Sequence, residues 1–502
     1  VDGQEKLTDE AFNKIAWGSR CDVELGTIAV PSFFAPACMA PFTGDNGGAT
    51  AQGVTADEIT IVHYQGPDDD PVIAYVTQAI NSDETNAQST ETLENYIKYY
   101  ETYYELYGRK VNLVTYISTG FATDEVTARA DAQRIVEQYA PFVVVGGPAL
   151  TNAFNDELAA RKTTCMCGGG TAQYLGERDP YLWAIDGSSE QKQQLLVEYI
   201  EKQLVGKPAS HAGDALKGEI RKFALTYVEG GSESKDLADL AVTRMAAIGA
   251  DLALVLPYQL DPGTIQASAS QIIAKMKAEG VTTVLLSTDP VAPGALTREA
   301  TAQEYFPEWV VTANTLTDTN AFARSYDQAQ WAHAFGISSL AVKTNPEKIG
   351  YAVTYKWFTG QDTPSPDGIG TLIPNWELLF AGIQDAGPNL THQTLGDSFK
   401  SFETKKAITQ PYLTWGDRGI WDEMDYSGID DVTMFWWDPT ATGMDELKKE
   451  GTGMMQFVDG GKRYLLGEMP TEDKMFVVDG AIAMYDTAPA SETPPAYPSP
   501  AG

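Results

Sequence analysis

The sequence predicts an α/β protein built from two lobes, each a doubly wound parallel sheet covered by helices on both faces. Strand-like runs of β-branched residues alternate with helical runs from residue 58 to residue 313. Strict alternation of this kind is typical of parallel sheets. The predicted strands are too numerous for one small sheet, and 502 residues exceed what one compact core supports. We therefore expect two α/β lobes.

Hydrophobic periodicity places the individual elements. Strands are predicted over residues 58–64, 111–117, 142–145, 181–185, 222–229, 251–258, 282–288 and 309–313. Helices are predicted over residues 90–107, 155–161, 188–204, 233–248, 264–278 and 296–305, and a further helix begins at Thr123 or Asp124. After residue 337 the pattern changes to helices over 349–358 and 376–385, short aromatic strands to residue 438, and hairpin-like turns to residue 485.

The first 54 residues show no clear period and are expected to form an extended arm packed on a larger body. Cys21 and Cys38 flank a proline-rich loop and can close it as a disulfide in an oxidising compartment. Cys165 and Cys167 are too closely spaced for a zinc knuckle. They end a predicted strand, where alternate residues share a face, and we interpret them as small buried hydrophobic side chains.

Composition and charge exclude several classes of partner. The chain is 43% hydrophobic and 10% aromatic, which indicates a folded globular protein. A net charge of -34 argues against nucleic acid and anionic membranes, because both bind basic surfaces. No apolar run reaches about 18 residues, so no membrane-spanning helix is expected. Since the chain begins at Val1 without an apolar leader, any signal peptide is expected to have been removed.

Residues 142–171 hold two predicted strand ends in succession, each followed by glycines. The first strand stops at Gly146 and Gly147, and the second small-residue patch covers residues 167–171. In open α/β sheets, ligands bind in the crevice outside the carboxyl ends of the strands, and glycines let a ligand approach the main chain. Tight turns use glycine without a ligand as well, so a binding site and an ordinary turn both remain open here.

No catalytic set emerges from the sequence. The four histidines, His63, His211, His333 and His392, lie in unrelated contexts. No nucleophile elbow, P-loop or dinucleotide-binding glycine pattern follows a predicted strand. No cofactor and no metal site are therefore expected, and the protein is predicted not to be an enzyme. The abundant carboxylates leave a hydrolase as a remote alternative.

Five local patterns carry a family resemblance through their order and spacing. They lie at residues 99–129, 143–146, 167–171, 181–191, and 413–419 together with 435–437. In this order they resemble the type I solute-binding proteins of ABC importers, of the branched-chain amino acid-binding kind. The resemblance covers roughly residues 59–440 and implies a Venus-flytrap fold with three crossovers between the lobes. These crossovers are expected near residues 176–188, 336–344 and 406–415.

The composition of the two ends, together with the resemblance over the residues between them, predicts a division of the chain. The expected parts are an arm (1–55), the first part of lobe 1 (56–178), lobe 2 (179–338), a return to lobe 1 with hinge crossings (339–440), a C-terminal extension (441–487) and a disordered proline-rich tail (488–502).

In the family, loops of lobe 1 bind a ligand carboxylate through backbone N–H groups and hydroxyls. By position, this role falls to Gly147, Pro148, Ala149, Gly170 and Thr171. Only Thr171 keeps a hydroxyl, and proline has no N–H to donate. The solute therefore stays open between an amino acid and a hydrophobic or amide-like molecule.

Lobe 2 of the family supplies acids that meet a ligand ammonium. The candidates here are Asp186, Glu229, Asp289 and Asp318. Two tyrosines at strand ends, Tyr64 and Tyr258, can offer ring faces to a ligand.

The resemblance implies an extracytoplasmic binding protein, secreted or lipid-anchored, that captures a small organic solute as a monomer and delivers it to an ABC-type permease. A ligand-sensing receptor domain of the same fold, without transport, is the alternative.

Overall fold

The computed structural model describes residues 14–148, 150–230, 233–314 and 316–502. It opens with the arm, in which strands β1 (Cys21–Asp22) and β2 (Thr27–Ile28) pair antiparallel. The predicted disulfide joins Cys21 to Cys38, with Cα atoms 5.8 Å apart. Ile28, Val30 and Val54 are buried in the core of lobe 1, so the arm packs on the body as expected.

Lobe 1 is built on a five-stranded parallel sheet with the order β4-β3-β5-β6-β7. The strands are β3 (Glu58–Gln65), β4 (Lys110–Ile117), β5 (Val143–Val145), β6 (Thr164–Met166) and β7 (Leu182–Trp183). The helices between them are α1 (Pro71–Ala79), α2 (Asn86–Tyr103), α3 (Glu125–Tyr139), α4 (Ala153–Ala160) and α5 (Ala172–Gly176). The strand order reverses between β3 and β5, which makes the sheet doubly wound.

Helix α1 was not predicted. It begins at Pro71, a favoured first helical residue, and Asp70 caps it by accepting hydrogen bonds from the N–H groups of Val72 and Ile73. Although α1 belongs to lobe 1 in sequence, Val72 is buried in the apolar core of lobe 2. The helix therefore bridges the two lobes.

Lobe 2 contains the larger sheet, with the order β15-β14-β12-β11-β10-β8-β9. Its parallel strands are β8 (Phe223–Val228), β9 (Leu252–Tyr258), β10 (Thr283–Ser287), β11 (Glu308–Thr312) and β12 (Ala334–Ser338). Its helices are α6 (Ser189–Gln203), α7 (Glu233–Ala247), α8 (Ile265–Glu279), α9 (Ala292–Ala302), α10 (Asn320–Ala323) and α11 (Gln328–Trp331). The order reverses between β8 and β10, so this lobe is doubly wound as well. The predicted fold class is confirmed.

The chain crosses between the lobes three times. The first crossing leads from β7 to α6, and the second leads from β12, through the two-residue strand β13 (Lys343–Thr344), to helices that return to lobe 1. These helices are α12 (Tyr351–Thr359), α13 (Ile369–Leu372), α14 (Pro374–Ala386) and α15 (His392–Ser401). The third crossing was expected at residues 406–415, but Leu413 and Trp415 are buried in the core of lobe 1. The third crossing instead lies beside the first one, near Ser427, which pairs with Ala184.

The segment after this crossing completes lobe 2. Strands β14 (Val432–Met444) and β15 (Glu450–Phe457) form an antiparallel hairpin at the edge of the sheet, and the short strand β16 (Arg463–Tyr464) pairs with β14. Strand β17 (Met484–Tyr485) pairs with β13. Residues 488–502, expected to be disordered, instead lie against the body. The Tyr497 hydroxyl donates to Asp22 of the arm over 2.9 Å, and the Glu492 carboxylate accepts from Thr409 N over 2.8 Å.

Candidate functional site

The two lobes enclose a cavity of about 480 Å³ at the carboxyl ends of β8 and β10. The strand order of lobe 2 reverses between these two strands, which is where open α/β sheets bind ligands. The volume is typical of small-molecule sites. Lobe 1 closes the cavity from the opposite side with Val72, Ile73, Val76, Leu150, Thr151, Asn152, Gly169 and Gly170.

The lobe 2 wall of the cavity is mainly apolar. It runs between helices α6 and α7 and the sheet, and its apolar members include Leu196, Val197, Leu225, Leu237, Ala238, Ala241, Met245 and Leu285. Those on α7 recur three to four residues apart, so one face of the helix meets the cavity. This wall offers dispersion contacts and apolar surface rather than hydrogen bonds to whatever enters.

Glu233, the first residue of α7, reaches across the cleft. Its Oε2 accepts a hydrogen bond from Asn152 Nδ2 of lobe 1 over 3.2 Å, and the nearby Thr171 backbone N–H lowers the pKa of its carboxyl. Burial raises the pKa of Glu233 to about 7, against the lowering effect of these two groups. A Cβ at residue 170 would lie 2.6 Å from Glu233 Oε2 and 2.6 Å from Tyr174 Cδ1, so a side chain there would displace both groups.

Two further charged side chains line the cavity, and both have protein partners. Lys192 of α6 donates to Asp186 over 2.6 Å. Asp289 caps α9 by accepting from the N–H groups of Val291 and Ala292, over 2.8 and 3.0 Å, and it also accepts from the Tyr258 hydroxyl. Burial raises the pKa of Asp289. The Asp289 carboxylate therefore has a structural role at the start of α9.

One polar group of the wall lacks a partner. Thr288 follows β10, is 2% exposed and lines the cavity. Its hydroxyl makes no hydrogen bond within the part of the chain that the structure describes. Neighbouring Ser287, in contrast, accepts from Asn314 Nδ2 over 3.0 Å. Buried hydroxyls normally have a partner, but the Thr288 oxygen is itself buried and lies behind the surface that a solute would touch.

The residues predicted in lobe 1 divide between two recesses. Gly170 lines the cavity, whereas Tyr64, Gly147 and Pro148 line a second recess of about 480 Å³ on the other side of α1. That recess also holds four acids, Asp68, Asp70, Asp83 and Glu84. Ala149 lies outside the described residues.

The hydroxyl of Thr171, predicted to bind the ligand, accepts instead from Tyr174 N over 3.1 Å and caps α5. It is therefore already engaged in the local structure.

The residues predicted in lobe 2 are also dispersed. Asp289 lines the cavity, but Tyr258 is buried behind it and contacts it through the hydroxyl. Asp186 pairs with Lys192 at the first crossing. Glu229 is exposed at the end of β8. Asp318 is buried, accepts from Ser338 Oγ and has its pKa raised to about 6 by burial.

The cysteines that end β6 are joined to each other. Cys165 and Cys167 form a disulfide, with Cα atoms 5.2 Å apart. The strand ends at Met166, so the chain turns there and brings the two sulfurs together. Cys165 is buried in the core of lobe 1 and Cys167 packs against it, so the interpretation as small buried hydrophobic side chains is confirmed, and the disulfide between them was not predicted. The disulfide lies directly before the glycines that line the cavity.

Sequence reasoning did not find Glu233, Asn152, Lys192 or Thr288. The predicted helix over residues 233–248 was correct, but its hydrophobic period did not show that Leu237 and Met245 also line a cavity. A helical face that lines a cavity has the same hydrophobic period as a face that packs in a core. The sequence therefore carried no signal that separates the two.

The comparisons with known proteins agree with this architecture. A sequence profile of the family described as "Periplasmic binding protein" matches residues 71–425. This is more than half of the chain, and the chain belongs to this family. No curated protein matches the sequence.

Solved structures are similar in fold. A fatty acid ABC transporter substrate-binding protein from Thermomonospora curvata has 16% identity and a TM-score of 0.54, over 86% of this chain and 97% of that chain. LivJ from Streptococcus pneumoniae, in complex with isoleucine, has 12% identity and a TM-score of 0.52, over 80% and 100%. A solute binding protein from Rhodopseudomonas palustris BisB5, in complex with 3,4-dihydroxy benzoic acid, has 12% identity and a TM-score of 0.53, over 79% and 97%. At these identities the likeness establishes the fold.

Proposed function

We propose that this protein captures a small organic solute with a largely apolar body in the cleft and delivers it to an ABC-type permease. The observation that carries the proposal is the cavity of about 480 Å³ at the switch point of lobe 2, enclosed by both lobes. Membership of the periplasmic binding protein family supports solute capture. The structural neighbours, whose titles name ABC transporters, support the permease as partner.

The apolar wall under α7 indicates what part of the solute enters lobe 2. Leu237, Ala241 and Met245 meet the cavity from the helix, and Leu225 and Leu285 meet it from the sheet. Each buried methylene contributes about 0.8 kcal/mol, so a chain or ring of carbons gains more from this space than a polar group does. A neighbour described as a fatty acid transporter protein, and another bound to a benzoic acid, are in keeping with an apolar solute.

We propose binding without turnover, by a monomer, outside the cytoplasm. Binding without turnover is supported by membership of the periplasmic binding protein family. The extracytoplasmic location is supported by the family and by two disulfides, at Cys21–Cys38 and Cys165–Cys167. Among the described residues no helix has the length and apolar character needed to cross a membrane. The protein is exported, either free or held by a lipid anchor.

Calorimetry with a series of primary amides of increasing chain length tests the apolar body. Affinity should rise up to about fourfold with each added methylene, until the chain fills the cavity. Ala241→Leu narrows the space and should stop this rise at a shorter chain. Ala246→Leu, on the exposed face of the same helix, should not change the series. An affinity independent of chain length would contradict the proposal.

A further inference from the structure

The most informative contact in the cleft is made by the protein's own carboxylate. Glu233 of lobe 2 accepts from Asn152 Nδ2 of lobe 1 over 3.2 Å. Its Oε2 sits so close to Gly170 that a Cβ at this residue would be only 2.6 Å away. Glu233, Asn152 and Gly170 all line the cavity. The Asn152 amide, a donor that lobe 1 offers at this end of the cavity, is therefore already used by a protein side chain.

The charged groups of lobe 1 near this contact are balanced among themselves. Arg178 pairs with Asp156 over 2.7 Å, and its guanidinium lies 3.6 Å from the centre of the Tyr174 ring. The Tyr174 hydroxyl donates to the same Asp156 over 3.0 Å. Arg178 lowers the pKa of Glu233 and Asp156 raises it. This pair therefore adds little net charge beside the Glu233 carboxyl.

The lobe 2 side of the cavity is unfavourable for an anion. The lining carries two acids, Glu233 and Asp289, and one base, Lys192. The Lys192 ammonium lies 2.6 Å from an oxygen of Asp186, so its charge already has an opposite partner. A negatively charged solute would meet like charge in a space where burial raises its own cost.

A solute without negative charge meets no such repulsion. An uncharged amide or alcohol, or an amine, can donate a hydrogen bond to the Glu233 carboxyl, which only accepts when it is ionised.

We propose that Glu233 determines the charge of the solute. It occupies the Asn152 amide of lobe 1 with the protein's own carboxylate, so the cavity takes a neutral or cationic amphiphile and rejects the corresponding carboxylate. The head of this solute is a hydrogen-bond donor, such as a primary amide or an amine, and its apolar part lies under α7. This inference rests on the proposed function, because it assumes that the cavity holds the solute.

Calorimetry at about pH 8 with octanamide, octylamine and octanoate tests the inference. These probes share one chain and differ in the charge of the head. The wild-type protein should bind the amide or the amine at least tenfold more tightly than octanoate. Glu233→Ala frees the Asn152 amide and removes the negative charge, so it should reduce the preference for the amide over octanoate at least tenfold. Because the readout is the ratio of the affinities for octanamide and octanoate, any effect of the substitution on closure of the two lobes cancels.

Two further variants separate the effect of the Glu233 charge from the effect of its side chain filling this position. Glu233→Gln removes the charge but keeps the side chain in place, and should reduce the preference less than Glu233→Ala does. Asp236→Ala removes one acid from the exposed side of the same helix turn and should leave the preference unchanged. Equal binding of octanoate and octanamide by the wild type, or an unchanged preference in Glu233→Ala, would overturn the inference alone. If none of the three probes binds wild type or variant, the apolar solute of the proposed function is wrong and the inference falls with it.

Discussion

Glu233→Gln should remove part of the pH dependence of stability. Burial raises the pKa of Glu233 to about 7 in the folded protein, from 4.5 for an unperturbed glutamate. Between these values the folded protein binds this proton and the unfolded chain does not. The stability contributed by the protonated group is therefore fully present below about pH 4.5 and is lost as the pH rises through about 7. Glutamine has no charge at any of these pH values, so it lacks this dependence.

The size of the effect follows from the two pKa values. Their difference corresponds to a ceiling of about 3.4 kcal/mol, at about 1.36 kcal/mol for each pKa unit. Because the Glu233 side chain is only half-buried, solvent screening reduces this to about 1–2 kcal/mol. From pH 5 to pH 8, the wild type should lose about 1–2 kcal/mol more of its free energy of unfolding than Glu233→Gln does.

Urea unfolding followed by tryptophan fluorescence at both pH values measures this difference. Asp156, Tyr174 and Arg178, which face Glu233 from lobe 1, are present in both proteins, so their contributions cancel. Asp236→Asn, an exposed acid on the same helix, should follow the wild type. If the wild type and Glu233→Gln lose stability in parallel, the burial of Glu233 across the cleft is refuted.

Three other substitutions have defined outcomes. Arg221 donates to the buried Glu308 carboxylate over 2.8 and 2.9 Å. Arg221→Met removes this ionic partner and should lower the free energy of unfolding by about 3–5 kcal/mol. A loss under 1 kcal/mol in urea unfolding would contradict this. Thr171→Ala removes the hydroxyl that accepts from Tyr174 N and should cost about 1 kcal/mol of stability, whereas calorimetry should show solute affinity within twofold of wild type. Gly170→Ala places a Cβ against Glu233 Oε2, which reaches across the cleft, and should weaken solute binding at least tenfold by calorimetry. Unchanged affinity would show that the closed cleft tolerates a side chain there.

The fold could be predicted from the sequence because its signals are local and repeated. The β-branched run Val143–Val145, with a glycine on its carboxyl side, is a buried parallel strand as expected. The helix predicted over residues 188–204 corresponds to Ser189–Gln203, since Ser188 and Gln191 form a capping box. The alternation of strands and helices along the chain then indicated the α/β fold class.

The edges of the lobes could not be predicted in the same way. Leu413 and Trp415 belong to the core of lobe 1 although a crossover was expected there. Their burial depends on contacts with helices far away in the chain, and Trp415 Nε1 donates to Ala184 O over 3.1 Å. Such long-range pairing leaves no local signal. The tail is similar, because its proline content gave no indication of the contact between Tyr497 and Asp22.

The site was the least predictable part. Gly170 and Asp289, which closely follow strand ends, were chosen by their positions in the family resemblance, and both line the cavity. Tyr64 and Gly147 also lie at strand ends, but α1 separates them from the cavity, and α1 was not predicted. Glu233 opens a helix like many acids that favour a helix N-terminus. Its contact with lobe 1 depends on how the lobes close, and this information is not local to any stretch of the sequence.

The central claim is that the cleft captures a small apolar solute without negative charge. Native mass spectrometry of the purified protein, before and after denaturation and refolding, tests this claim most directly. We expect the native protein to carry an added mass that is lost after denaturation, and the released molecule to be a neutral or cationic amphiphile. A released carboxylate would contradict the role of Glu233. A released sugar or other hydrophilic molecule would contradict the apolar site itself.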